Sequence, residues 1–315
     1  MARRLQRRYL LLIGILIGLL LVFLGRGLWE RALFYREARP QIYTVQPQII
    51  AIEIETGTVE RASRTTYNRQ PGDRGIFDQD GIWIQRFGKI LGNQIGSRQL
   101  HGFDQYRGEP LNTVQADRPD SYRLESKNDP QYATPQIPIA VYRKTKPTDM
   151  AEVNRDERQW PLRHRLYLRL AAPLSAGKTY RLAFPGLGRA PLTFRYDPQH
   201  HWSEAVHVSQ VGFHPDDPLK QGFLSLWMGN GRGLVYGDDL QFSLVEEARD
   251  GWASADRPLF TGRAEHRKGP QDPEDPRDRN YTQTDVYTLD FSDFRRPGRY
   301  RLCVAGVGCS WPFEI

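Results

Sequence analysis

From residue 49 onward, apolar and polar side chains alternate in short runs and hardly ever recur at the three-and-four spacing of an amphipathic helix. Period-two runs bounded by Gly, Pro, Asn and Asp read as strands over 49–55, 82–87, 137–142, 166–171, 180–184 and 192–196. A second region gives strands over 205–211, 221–227, 240–245, 259–261, 285–289, 299–304 and 310–315. Seven short strands are what one immunoglobulin-like sandwich requires. The polar stretch 99–135 has no assignable period and reads as a long excursion between strands. Residues 262–284, dense in charge and Pro, read as an exposed loop.

The chain also partly repeats itself. Around Tyr300 it reads Gly-Arg-Tyr-Arg-Leu-Cys-Val-Ala-Gly-Val-Gly, and around Tyr180 Lys-Thr-Tyr-Arg-Leu-Ala-Phe-Pro-Gly-Leu-Gly. The offset of 120 residues is close to the size of one sandwich. The expected fold is therefore all-β: two immunoglobulin-like β-sandwiches in tandem, over 46–200 and 203–315, following an N-terminal transmembrane helix.

That helix is read from a different pattern. Residues 9–25 form an uncharged run rich in Leu and Ile, about 25 Å long as a helix. A bilayer core of about 30 Å is just within reach, the more so with 27–29 added and Trp29 at the interface. Gly-Arg-Gly-Leu-Trp-Glu-Arg follows the run and lacks a small-residue cleavage site, so the expectation is an uncleaved signal anchor over 9–29. A basic tail over 1–8 precedes it and a linker over 30–45 follows. Arg3, Arg4, Arg7 and Arg8 are nearly balanced by Arg26, Arg31, Arg36 and Arg39, so charge alone does not set the orientation. The β-modules do: the remainder is expected to be periplasmic or extracellular.

A hydrophobic content of 39% over 315 residues suffices for two such cores. The net charge of +7 comes from dispersed Arg rather than a basic stripe, which argues against nucleic acid as a partner. His200 and His201 point to opposite faces of an extended chain and have no third ligand nearby, so no metal is expected there. Asp272, Glu274, Asp275 and Asp278 are interrupted by Arg277 and Arg279 and read as a solvated loop, not a calcium site. Asp104, Glu109, Asp117 and Asp120 supply carboxylates to the excursion without an evident cleft. No cofactor is implied.

Cys303 and Cys309, the only cysteines, flank Gly306. A turn symmetric about Gly306 brings them face to face, and an oxidising compartment would permit a disulfide. Of the seven Trp, Trp83, Trp227 and Trp311 fall in alternating strands and read as core. Trp202 and Trp252 fall in turns and are the candidate platforms for stacking on carbohydrate.

One stretch carries a family resemblance. Val206-His-Val-Ser-Gln-Val-Gly-Phe-His-Pro-Asp-Asp-Pro-Leu-Lys220 resembles the opening of the N-terminal immunoglobulin-like domain of glycoside hydrolase family 9 cellulases. Its close is similar too: Tyr287-Thr-Leu-Asp-Phe-Ser292, Pro297-Gly298, Tyr300-Arg-Leu302, Gly306-Val-Gly308 and Ser310-Trp-Pro-Phe-Glu-Ile315. Ser209 stands where that family has Asn, and Phe213 where it has Tyr. The resemblance covers about 204–315.

It implies a domain that packs against a helical barrel, where an Asp-Ala-Gly-Asp pair and a distant Glu hydrolyse glucan with inversion. No Asp-Ala-Gly-Asp occurs in this sequence, and no residue of it is assigned a catalytic role. The resulting expectation is a membrane-anchored, non-catalytic N-terminal portion of a family 9-type glucan hydrolase. Its second module would dock a barrel supplied by a longer product or a separate chain, with β-glucan as a candidate ligand. The alternative is a stand-alone envelope β-sandwich protein that binds glycan or a protein partner.

Overall fold

Ile42 opens a strand, and from there to Ile315 the chain is built mainly of sheet. The structure, a computed structural model, describes residues 42–199, 201–237, 239–247, 257–273 and 280–315. The expected anchor over 9–29 lies outside the described residues, among which no helix is long and apolar enough to cross a membrane. The fold is nearly all-β: among the described residues helix is limited to Thr113–Ala116 and three 3-10 turns. Gln41–Ile315 forms one unit.

A central antiparallel sheet runs in the order Ile42–Gln46, Ile49–Glu55, Leu162–Arg169, Ala140–Pro147. The linker expected over 30–45 thus gives way to a strand at Ile42, where Tyr43 and Val45 are buried and anchor the pairing. This sheet faces two cores. Ile50, Ile52, Ile54, Val141, Leu166 and Leu168 enter one, closed by Leu124, Tyr180 and Leu182 from a three-stranded sheet. Tyr43, Val45, Ile49, Ala51 and Tyr167 enter the other, which belongs mainly to the second module. A strand covered on both faces needs apolar residues at successive positions, which is why Ile49-Ile50-Ala51-Ile52 abandons alternation.

Residues 57–108 leave this sandwich as an insertion. A ribbon of Gly57–Glu60 and Gln105–Gly108 leads into five antiparallel strands, in the order Arg64–Thr66, Gln99–His101, Lys89–Ile95, Gly81–Arg86, Asp73–Asp78. The excursion therefore begins well before 99, and part of 99–135 returns as the strand Arg123–Glu125. Most of the inserted strands are short, polar and half-exposed, so they offer little period-two contrast.

In the second module, Val206–His207, Gln221–Leu224, Val286–Asp290 and Glu265–Lys268 form one sheet. Phe260–Arg263, Gln241–Glu246, Arg299–Val304 and Gly308–Cys309 form the other, with Phe313–Glu314 also paired to Arg299–Val304. Leu224, Tyr287 and Leu289 meet Phe242, Leu244 and Leu302 in the shared core. The loop expected over 262–284 contains the strand Glu265–Lys268, whose mostly exposed, polar side chains conceal it from a hydrophobicity reading. Both copies of the internal repeat open hairpins, and Tyr180 and Tyr300 are both fully buried. The Tyr300 hydroxyl donates back to the carbonyls of Arg296 and Pro297 at 3.1 and 3.2 Å, a corner typical of immunoglobulin-like sandwiches.

Candidate functional site

Cross-strand register sorts the second-module face of the central sheet into rows. Tyr43, Ala51, Tyr167 and Tyr142 line up in the first. Glu53, Arg165 and Lys144 form the next, followed by Glu55, Arg163 and Lys146. The second module covers the aromatic row and part of the charged ones.

Glu204 reaches onto this face from the segment between Trp202 and Val206, and its side chain is only 6% exposed. Its Oε2 accepts from the Tyr43 hydroxyl at 2.8 Å and pairs with Arg165 Nη1 at 2.6 Å. Oε1 accepts from Lys144 Nζ at 2.7 Å and from the Tyr167 hydroxyl. Arg165 continues to Glu53 at 3.3 Å, and Arg163 links Glu53, at 2.9 Å, to Glu55. Burial alone pushes the Glu204 carboxyl up, but Lys144 and Arg165 outweigh it and hold the group below its ordinary value. Burial, reinforced by the Glu204 charge, pushes the Tyr43 and Tyr167 phenols far up, so both remain donors.

A carboxylate kept ionised and surrounded by four donors is poorly placed to act as a general acid or base. The cluster is a clasp between modules. Other contacts lie along the same boundary. Tyr236 donates to the Val45 carbonyl at 3.3 Å, and Asn230 Oδ1 accepts from the Arg143 backbone N–H at 2.7 Å, satisfying an edge-strand donor. Gly229 allows that approach: its φ is +70°, and a Cβ there would lie 2.2 Å from the Arg143 carbonyl oxygen.

Beside the clasp opens a cleft of about 240 Å³ lined by Lys144, Thr145, Lys146, Arg163, Arg165 and Trp227. Trp227, expected in the core, is 44% exposed, because its strand ends at Leu224 and the chain turns outward along the junction. Trp202, expected as a surface platform, is instead 7% exposed. Its ring lies 4.7 Å from Tyr43 and 5.0 Å from Trp311, which leaves no open face for a sugar. The turn that carries it is covered by the central sheet, which sequence position alone does not reveal. Trp252 lies outside the described residues, as do His200, Glu274, Asp275 and Asp278.

Cys303 and Cys309 stand directly opposite each other in the ladder, with Cα atoms 3.9 Å apart and their sulfurs joined. Asp104 and Asp117 are engaged by Arg61 at 2.8 Å and Arg143 at 2.7 Å, and Asp120 is paired with Arg118. These carboxylates are distributed over separate ion pairs. Among the described residues, no group of three or more His, Cys, Asp or Glu gathers as a metal site.

Sequence reading missed the clasp and the cleft. A signal existed in Leu162–Arg169, where Arg163, Arg165 and Tyr167 alternate with His164, Leu166 and Leu168. That pattern gives a strand with one core face and one cationic face. Nothing in the spacing, however, connects residues 43, 144, 165 and 204.

Layered antiparallel sheets with a buried ionic clasp between them define a nearly all-β protein. Residues 201–309 match the family model of the cellulase N-terminal ig-like domain, so the second module carries that domain's sequence pattern on an all-β frame. Among solved structures, a metagenome-derived glycoside hydrolase family 9 endoglucanase is 27% identical, with 35% of this chain and 17% of that chain covered and a TM-score of 0.26. A pullulanase from Anoxybacillus sp. LM18-11 is 7% identical, with 85% of this chain and 24% of that chain covered and a TM-score of 0.17. This chain therefore covers only 17% of the endoglucanase and 24% of the pullulanase. No curated protein matches it.

Proposed function

We propose that this chain is the non-catalytic, membrane-anchored portion of a family 9-type glucan hydrolase. In this reading both modules are immunoglobulin-like sandwiches, residues 9–29 hold the chain in the membrane, and the rest lies in the periplasm or outside the cell. The second module docks a helical catalytic barrel, and the first packs against the second as its support. The observation that carries the reading is the match of residues 201–309 to the cellulase N-terminal ig-like domain.

Three further features support it. The clasp at Glu204 makes the first module a rigid support rather than a tether. Val211 and Leu219, in the segment that most resembles the cellulase domain, are 98% and 62% exposed and offer apolar contacts to a partner. The Cys303–Cys309 bond accords with an oxidising compartment.

The test supplies the catalytic barrel of a family 9 endoglucanase in trans and measures its co-purification with the full chain. Retention that is lost in a Val211→Ser, Leu219→Ser double variant is the expected result. Glucan cleavage by the chain alone would overturn the reading, and so would failure to retain the barrel. Fractionation of cells expressing the chain with and without 9–29 tests the anchor separately, with release into the soluble fraction as the expected effect of the deletion.

A further inference from the structure

We propose that a cavity between the inserted sheet and the hairpin of Ala151–Asn154 with Glu157–Gln159 binds a neutral hexose unit. The cavity lies outside residues 201–309, so its ligand does not depend on the docking of a barrel. Its volume of about 470 Å³ falls within the roughly 300–1,000 Å³ of small-molecule sites.

Strand register builds the part of the lining that comes from the sheet. Trp83, Asn93 and His101 are direct cross-strand partners on three neighbouring strands, so their side chains share one face. Ile95, two residues beyond Asn93, points the same way. The hairpin contributes the cross-strand pair Glu152 and Arg158, joined at 2.8 Å. Arg155 binds Asp78 at 2.6 Å, and the Asp104 backbone N–H donates to the Glu152 carbonyl at 2.9 Å. These contacts tie the hairpin to the sheet and keep the cavity preformed. Trp83 is held as well, by stacking on Phe103 at 5.9 Å and by donation from its Nε1 to Asp78 at 3.1 Å.

Several polar groups of the lining keep hydrogen-bonding capacity for a ligand. Asp80 at the rim bonds only through its backbone, and its carboxylate has no partner among the described residues. Asn93 donates Nδ2 to the Asp80 carbonyl at 2.8 Å, which leaves Oδ1 as an acceptor. Gly81 has no side chain to cover that oxygen; a Cβ there would lie 3.2 Å from it. Glu152 uses Oε1 on Arg158 and keeps Oε2. His101 Nδ1 is buried, so Nε2 is the ring nitrogen open to a ligand.

This set selects a class. An anion would meet Asp80 and Glu152, and a cation would meet Arg158. A wholly apolar molecule would desolvate the acceptors without replacing their hydrogen bonds. A hydroxyl both donates and accepts, so several on one ring suit Asp80, Asn93 Oδ1, Glu152 Oε2 and His101 together. The C–H face of the same ring suits Trp83 and Ile95.

Ligand-observed NMR titration of the full chain with D-glucose, D-galactose and D-mannose tests the proposal, with glucosamine, glucuronate and cyclohexanol for comparison. At least one hexose is expected to bind more tightly than every comparison compound. Asp80→Ala, at an exposed position, is expected to weaken that hexose about tenfold. Gly102→Val adds a side chain to the lining where a Cβ meets nothing within 4 Å, and it should abolish binding. Circular dichroism checks that both variants are folded, and Asp80→Ala decides if Gly102→Val is not. Absence of binding by all three hexoses would overturn the proposal. So would a comparison compound that binds as tightly, or wild-type affinity in every folded variant.

Discussion

Glu204 shows how a single side chain can decide whether two folded layers stay together. Its charge is buried, and two cations and two phenols depend on it. Glu204→Gln leaves Lys144 and Arg165 without that counter-charge at the boundary, and removing one partner of a buried pair costs about 3–5 kcal/mol. Urea unfolding should show a loss of that size. Tyr167→Phe removes only one donor to the carboxylate and should cost about 2 kcal/mol. The pH dependence is set by the direction of the shift. Because the folded state holds the Glu204 carboxyl below its unfolded value, the stabilisation is fully present above about pH 4.3 and is lost as pH falls through the folded value. Wild type should therefore lose more stability on acidification than Glu204→Gln. Parallel acid limbs for the two proteins would show that Glu204 is not held ionised by its partners.

Among the elements, strands with strong internal contrast were legible in the sequence. The expected runs 49–55 and 299–304 coincide with observed strands, each placing large apolar residues in a core. The run 205–211 shrinks to Val206–His207, because the chain then leaves the sheet toward Gly212. There φ is +88°, and a Cβ would lie 2.6 Å from the Glu314 carbonyl oxygen. The family-like segment is thus a close crossing over the last strand rather than a longer strand. Lys220, in the same segment, is fully buried and donates to the carbonyls of Pro215 and Asp217 at 3.0 and 2.8 Å, a structural use that its residue type did not suggest. Of the inserted sheet only the strand expected over 82–87 was legible, observed as Gly81–Arg86 with Trp83 and Ile84 buried; its short, polar neighbours stayed hidden because their order comes from pairing rather than from an apolar face. The clasp stayed hidden because its members come from distant strands. The hairpin at Gly306 makes its own prediction. Cross-linking residues six apart removes little chain entropy, so Cys303→Ala with Cys309→Ala should cost about 2 kcal/mol. Intact mass before and after reduction, with alkylation, should reveal thiols only after reduction.

For the molecule as a whole, the central sheet matters most because it belongs to two cores at once. Tyr43, Val45, Ile49, Ala51 and Tyr167 share a cluster with Trp202, Leu226, Met228, Leu234 and Tyr236 of the second module. Separating the modules would expose both sets and uncover the Glu204 clasp, so neither should unfold while the other stays intact. Calorimetry of the full chain should therefore show one main transition covering both modules, with calorimetric and van't Hoff enthalpies in agreement. Trp202, buried at the boundary, should report the same midpoint by fluorescence as the far-ultraviolet signal of the sheets. Glu204→Gln should lower that midpoint and, by weakening the coupling, broaden the transition or divide it in two. Expressed alone, residues 203–315 should be less soluble than the joined modules, since they lose the cover of the aromatic row. Two well-separated transitions in the unaltered chain would mean that the layers fold independently and touch without coupling, and the first module could then not hold the second in a fixed position.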